Sequence, residues 1–233
     1  MNKYTSLILL TAFLVSGCAV LFGPSAKPGI ELAQQGDYEQ AMEYYQELIR
    51  EGKATGKIYR HAYEAAFYLE AFSQADSFYT AAIEAGFGAD SMQSLAVELW
   101  YGRAKTAIGK DHWKTATYAA DRLHELAAGS KPDKFCEHML RGKELFDKGS
   151  TRQLWDAVGE FTLAANQDGK SGLPYLWLGR TRHKNDRMNY DAALQEYDRA
   201  LELEPNSFWS ETARDEAAKI RAVRDKMKSF WGS

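Results

Sequence analysis

The fold is decided by a stretch near the N-terminus, Tyr38-x-x-Ala41-x-x-x-Tyr45-x-x-Leu48, which returns four times along the chain. The four later copies are Phe72-x-x-Ala75-x-x-x-Tyr79-x-x-Ala82, Trp113-x-x-Ala116-x-x-x-Ala120-x-x-Leu123, Leu154-x-x-Ala157-x-x-x-Phe161-x-x-Ala164 and Tyr190-x-x-Ala193-x-x-x-Tyr197-x-x-Ala200. Offsets of three, four and seven residues place these side chains on one face of a helix. The sequence therefore predicts five amphipathic helices, in which a small alanine lets a partner helix approach.

A second helix precedes each of these five helices. The first alanines of successive copies are separated by 34, 41, 41 and 36 residues. In the last three copies the preceding segment has its own small residues, namely Gly102 and Ala104, Gly142, and Gly179. Turn-forming residues join the two segments, as in Gln35-Gly36-Asp37, Gly109-Lys110-Asp111, Lys148-Gly149-Ser150 and Asn185-Asp186. The repeating unit is thus a helix-turn-helix of about 34 residues.

This pattern resembles the tetratricopeptide repeat (TPR) over about residues 26–205. The resemblance implies an all-α, right-handed superhelical solenoid of about five TPR units. Charges alternate after Ser207, a plausible N-cap, so the last segment is expected to be a polar capping helix. The predicted bounds are 1–17 for a signal peptide, 18–28 for a tether, 29–206 for the array and 207–233 for the capping helix.

The uneven spacing predicts that the extra residues lie mainly in connections. The seven extra residues before the third unit fall around Gly86-Phe87-Gly88-Ala89-Asp90, where a long loop is expected. The next step divides its extra residues between Gly129-Ser130-Lys131-Pro132 and the turn at Ser150-Thr151-Arg152. The fifth unit has two extra residues in its turn, near Arg187-Met188-Asn189.

The N-terminal residues have the features of a secretory signal. Lys3 precedes a short apolar stretch from Leu7 to Val15, which is too short to span a bilayer. The following Val15-Ser16-Gly17-Cys18 resembles a bacterial lipobox. That resemblance implies cleavage before Cys18, acylation of its thiol, and an outer-membrane anchor facing the periplasm, because Ala19 stands where an aspartate would favour inner-membrane retention. An ordinary signal peptide with an incidental cysteine is the alternative.

Composition and motifs argue against several functional classes. The net charge of −3 is unlike the strongly basic balance of bulk nucleic-acid binding domains. Cys136 is expected to be a buried, inert thiol. The five histidines are scattered over different units, and Cys136-x-His138 has no second pair to complete a zinc site. The sequence predicts no enzyme, no cofactor and no metal.

The TPR resemblance also implies where a partner binds, since the first helix of each unit lines the concave surface in that family. Aligned on the small residues, the ninth positions of the last three units are Lys105, Lys143 and Arg180. These cations are expected to form a solvated line whose reversal leaves the fold untouched. Further residues predicted to line the groove include Arg60, Tyr68, Tyr101 and Lys184. Such a groove favours a protein or extended peptide with acidic groups.

The sequence thus predicts a lipid-anchored TPR scaffold or assembly factor, for example in secretin, pilus or envelope-complex assembly. Two alternatives stay open. One is an adaptor that presents substrates to an envelope hydrolase or protease. The other is a cell-wall glycan-binding module that uses Tyr68, Trp100, Tyr101 and Trp177.

Overall fold

The structure is a computed structural model that describes residues 25–231. Its elements within that range are all helices, and no strand occurs there. In chain order they are α1 Lys27–Gln34, α2 Tyr38–Arg50, α3 Gly56–Tyr68, α4 Phe72–Glu84, α5 Ala89–Gly109, α6 Trp113–Ala127, α7 Lys131–Lys148, α8 Thr151–Gln167, α9 Leu173–Asn185, α10 Tyr190–Leu203 and α11 Ser210–Trp231. The predicted signal peptide, residues 1–17, Cys18 and most of the tether lie outside the described residues.

The described chain divides into two compact units, and the division falls inside α5, between Leu95 and Ala96. In the first unit α1 packs on α2 and α3 packs on α4. In the second unit α7 pairs with α8, α9 pairs with α10, and α11 packs on α10. The predicted all-α array of helix-turn-helix units with a C-terminal capping helix is confirmed.

The helices of a pair meet where a glycine of one faces an aromatic ring of the other. A Cβ atom added to Gly142 would lie 2.6 Å from the ring of Phe161, and one added to Gly179 would lie 2.8 Å from that of Tyr197. The repeated alanines of the second helices are buried as predicted: Ala41, Ala75, Ala116, Ala157 and Ala193 are each at most 2% exposed. The spacing of small and aromatic residues therefore encodes the close approach of paired helices.

The extra residues of the third and fourth units lengthen helices, so the long loop predicted around residues 86–90 is wrong, as is the placement of the fourth unit's extra residues in its connections. The connection before α5 is only residues 85–88, and α5 has 21 residues where α3 has 13. Likewise α7 has 18 residues, and α7 and α8 are joined by Gly149 and Ser150. Ala89 and Asp90 suit the first turn of a helix, because alanine has a high helix propensity and an acidic side chain is stabilised near a helix N-terminus. The helix can therefore begin within the insertion.

Helix ends follow local capping chemistry. The side chains of Asp37, Ser130 and Asn189 each accept a hydrogen bond from a backbone N–H in the first turn of α2, α7 and α10. Ser150 and Gln153 form a capping box at the start of α8. The expected N-cap at Ser207 is wrong, because α11 begins at Ser210, whose hydroxyl donates to the carbonyl of Glu204 at 2.6 Å.

No helix within residues 25–231 is both long enough and apolar enough to cross a bilayer.

Candidate protein-binding groove

In the first unit, the predicted groove residues already have partners within the chain. Arg60 Nη1 lies 2.9 Å from Glu64 Oε2, which also lies 3.1 Å from His61 Nδ1. The ring of Tyr68 stacks on that of Tyr38 with centroids 4.5 Å apart. The Arg60, His61 and Glu64 contacts lie within α3, and the Tyr38–Tyr68 stack joins α2 to α3. Arg60, the cation predicted to line the groove in this unit, is therefore already paired.

In the second unit, Lys105 belongs to a cluster of opposite charges. Its Nζ lies 3.2 Å from Asp168 Oδ2 and 3.7 Å from Glu204 Oε1. The hydroxyl of Tyr101 donates to the same Asp168 oxygen at 2.7 Å. Burial alone would raise the pKa of Asp168, but the hydrogen bond from Tyr101 and the charge of Lys105 outweigh it and lower that pKa. Lys105 therefore ties α5 to the connections after α8 and α10.

Arg180 belongs to a second cluster of opposite charges. Its Nη2 and Nε donate to the carboxylate of Glu216 at 2.7 and 2.9 Å, and Nη1 lies 3.4 Å from Asp111 Oδ2. The hydroxyl of Tyr197 donates to Glu216 at 2.9 Å. Only 15% of the Arg180 side chain is exposed, and its guanidinium lies 4.5 Å from the ring centroid of Trp177. A bidentate pair of this kind is a structural bond between α9 and α11.

We call the side chains of these two clusters together the charge network. Its members are Tyr101, Lys105, Asp111, Asp168, Arg180, Tyr197, Glu204 and Glu216. Lys105 and Arg180, two of the three cations expected to form a solvated line, are thus paired with carboxylates far from them in the sequence. These cations occupy equivalent positions of the repeat. Their carboxylate partners lie in turns and on α11, and the repeat pattern does not predict what stands there.

The two remaining predicted cations also make contacts within the second unit. Lys184 Nζ donates to the carbonyl of Phe146 at 2.6 Å, near the C-terminal end of α7, where a positive charge is stabilised by the helix dipole. Lys143 pairs with the carboxylate of Asp147 and lies 5.4 Å from the ring centroid of Trp113. Among the predicted residues, only Lys143 lines the groove described next.

An open groove of about 960 Å³ lies between α6 and α7. Its lining on α6 is Trp113, Thr117, Ala120, Asp121 and His124, and its lining on α7 includes Asp133, Glu137, Leu140, Arg141, Lys143, Glu144, Leu145, Asp147 and Lys148. The α6 residues lie on one helical face, and most of their side chains are short. The groove exists because these short side chains do not fill the space that faces α7. We call it the α6–α7 groove.

The groove has an apolar floor and a charged rim. Trp113, Leu140 and Leu145 are partly exposed in it. The two helices run antiparallel, since Trp113 meets Lys143 at one end and His124 Nδ1 lies 3.3 Å from Asp133 at the other. Asp133 also accepts the backbone N–H of Gly129 at 2.7 Å and is buried, so it fixes the start of α7. This arrangement can hold a helix or an extended segment along the direction of α6 and α7.

Other sequence-predicted features are internal. Trp100 and Trp177 are 2% and 3% exposed, which leaves no open aromatic platform for a sugar at these two positions. Cys136 is buried as predicted, and burial raises the pKa of its thiol to about 12. Within residues 25–231, no three His, Cys, Asp or Glu side chains are grouped so as to hold a metal ion.

Comparison with known proteins gives a distant likeness to helical-repeat structures. No family model matches the chain, and no curated protein matches it. A solved structure of YrrB, a TPR protein with an unusual peptide-binding site, is 18% identical, with 80% of this chain and 88% of that chain covered at a TM-score of 0.40. The TPR2AB-domain:pHSP90 complex of yeast Sti1 is 15% identical, with 86% and 83% covered at a TM-score of 0.35. Likeness at this level does not indicate which surface of the present chain binds a partner.

Proposed function

We propose that this chain is a lipid-anchored helical-repeat scaffold that binds a segment of another protein in its α6–α7 groove. The observation that carries the proposal is the groove itself: a cavity of about 960 Å³ whose apolar floor is reachable from solvent. Partly exposed Trp and Leu side chains between charged ones form a surface of the kind that becomes buried when a protein segment binds. The charge network cannot have this role without first giving up its internal pairs.

The anchor is the second part of the proposal. The signal-like N-terminus and the lipobox-like Val15-Ser16-Gly17-Cys18 favour acylation at Cys18 and a place at the periplasmic face of the outer membrane. Two or more acyl chains give stable anchoring. Confinement to the membrane raises the local concentration of the scaffold near membrane-bound partners. The scaffold and a partner in secretin, pilus or envelope assembly would then encounter each other at the membrane surface.

The binding site is tested by photo-crosslinking from two matched positions. Thr117 and Thr162 are both exposed, both in the middle of a helix, and both donate their hydroxyl to the carbonyl four residues earlier. Thr117 lines the groove and Thr162 lies on α8. A photoreactive residue at 117 should crosslink to a partner protein in envelope membranes, and one at 162 should not. Equal yields at the two positions, or a higher yield at 162, would contradict the groove assignment.

The anchor is tested separately. The Cys18→Ser variant should not be labelled by radioactive palmitate, and it should no longer float with the membrane fraction. Undiminished labelling in the Cys18→Ser variant would show that Cys18 is not the lipidated residue.

A further inference from the structure

The charges that line the α6–α7 groove do not balance. Five carboxylates line it, those of Asp121, Asp133, Glu137, Glu144 and Asp147, against three cations, Arg141, Lys143 and Lys148. Two of the cations are neutralised by neighbours on α7 itself: Lys143 by Asp147, and Lys148 by Glu144 at 2.6 Å. The third cation is drawn away from α6, because Arg141 Nε lies 3.1 Å from Glu160 Oε1 of α8.

Two carboxylates of the groove are left without such a neighbour. Asp121 of α6 and Glu137 of α7 are exposed, and neither has an ion pair or side-chain hydrogen bond with another residue between 25 and 231. Asp133, at the same end of the groove, is already held by Gly129 and His124. The groove thus has negative charge at the end where α7 begins, contributed from both of its walls.

The apolar floor lies next to this charge. Leu140 is one helical turn from Glu137 on α7, and Ala120 adjoins Asp121 on α6. A lysine or arginine side chain suits such a site, because its aliphatic stem covers apolar surface while its charged head reaches outward. An acidic side chain placed here would face Asp121 and Glu137 with like charge.

We infer that the occupant of the α6–α7 groove is a basic amphipathic segment of a partner protein, whose apolar residues pack on Trp113, Leu140 and Leu145 and whose cations face Asp121 and Glu137. This inference rests on the proposed function. It reverses the sign of the partner charge that the sequence predicted from Lys105, Lys143 and Arg180, because these cations have partners within the chain.

The experiment uses two synthetic peptides and the full chain. One fluorescent peptide has Leu and Lys repeating with helical period, and its counterpart has Glu in place of Lys. The protein is held in nanodiscs of zwitterionic lipid, and empty nanodiscs give the blank for peptide bound to lipid. Fluorescence anisotropy measures the affinity of each peptide for the wild type, for Asp121→Asn/Glu137→Gln, and for a control, Asp156→Asn/Glu211→Gln. The control changes the net charge equally at exposed carboxylates outside the groove.

The Leu/Lys peptide should bind and the Leu/Glu peptide should not. The groove variant should weaken binding by about two- to thirty-fold, the effect of losing two partly solvated ion pairs. The control should retain wild-type affinity. The difference should shrink as salt rises from 0.1 M to 1 M, since the Debye length falls from about 10 Å to about 3 Å.

Three results would overturn the inference. They are equal binding of the two peptides, equal loss in the groove variant and its control, and no binding of the Leu/Lys peptide. The first of these would leave the proposed function standing, because the groove would still bind a segment without selecting its charge. Failure of the proposed function itself would appear as the absence of groove-specific crosslinking from position 117.

Discussion

The charge network and the α6–α7 groove contain the same kinds of side chain but differ in how completely those side chains are paired. In the network, Arg180 gives its donors to Glu216 and Asp111, and Lys105 lies between Asp168 and Glu204. In the groove, Asp121 and Glu137 have no ion pair with any residue the structure describes. Charge in the network holds helices and turns together, whereas charge in the groove remains available to a partner.

The comparison shows that equivalent positions in a repeat need not have equivalent surroundings. Lys105, Lys143 and Arg180 occupy one repeat position, yet their partners come from turns, from the same helix and from α11 respectively. A partner that competed for Lys105 or Arg180 would first have to separate them from carboxylates. The groove requires no such exchange.

The largest effect is expected from Arg180→Glu. The new carboxylate would face Glu216 and Asp111 in a site where the present side chain is only 15% exposed. Breaking a buried pair in this way typically costs about 3–5 kcal/mol of unfolding free energy. Arg199→Glu is the matched control, since the Arg199–Glu202 pair lies in solvent, and its loss should be several-fold smaller. Urea unfolding of both variants, followed by circular dichroism, gives the measurement; equal midpoints would remove the distinction between network and surface charges.

The next effect concerns α7, which forms one wall of the groove and packs on α8 from its other side. Gly142→Ala would place a Cβ atom 2.6 Å from the ring of Phe161, and such overpacking costs about 1–3 kcal/mol. Gly159→Ala on α8 meets no atom within 4 Å and should instead stabilise the protein by roughly 0.5–1 kcal/mol, because alanine favours the helix. Thermal unfolding should shift in opposite directions. A shift in the same direction would count against the packing of α7 on α8.

The pH dependence of stability sharpens the comparison further. The folded-state pKa of Asp168 is lowered, so its contribution to stability is present above the ordinary aspartate pKa of about 3.9 and is lost as pH falls through the folded value. Asp168→Asn should therefore be less stable than the wild type at neutral pH, and the gap should narrow in acid below about pH 4. Urea unfolding between neutral pH and pH 3 measures it, with the exposed Asp156→Asn as control. A gap that stays constant with pH would show that Asp168 is not stabilised as a carboxylate.

The smallest effect on stability is expected in the groove. Asp121→Asn/Glu137→Gln removes two exposed charges, neither of which forms an ion pair with a described residue. The unfolding free energy of this variant should therefore stay within about 0.5 kcal/mol of that of the wild type. Calorimetry of the two proteins checks this. A loss above about 1 kcal/mol would mean that these carboxylates have a structural role, and the contrast with the charge network would fail.

Much of the fold follows from the sequence because the repeat is a pattern of small and large side chains at fixed positions. Gly142 opposite Phe161 and Ala157 in the core are positions where volume dictates a close approach of helices, and volume is visible in the sequence. The connection before α5 was predicted incorrectly, because the insertion at 86–90 contains two glycines but is followed by residues that continue a helix. Spacing indicates how many residues are inserted and does not indicate whether they lengthen a turn or a helix.

The site was less predictable for a different reason. The pairing of Lys105 with Asp168 joins residues 63 apart in sequence, and no periodic pattern specifies such a contact. The signal that could have located the groove is the run of short side chains on one face of α6, Thr117, Ala120 and Asp121, opposite long side chains of α7. It is a weak signal, because a gap between helices depends on how far apart their backbones settle as well as on side-chain size.

The most direct test of the central claim is hydrogen–deuterium exchange of the full chain in zwitterionic nanodiscs, with and without the Leu/Lys peptide. The α6–α7 groove and the charge network lie on different segments, so the location of protection decides between them. Binding in the groove predicts slower amide exchange in Trp113–Ala127 and Lys131–Lys148, with exchange in Leu173–Asn185 unchanged. Protection centred on Leu173–Asn185 and the Tyr101–Lys105 part of α5, without protection of α6, would contradict it and return the site to the line of cations at Lys105 and Arg180.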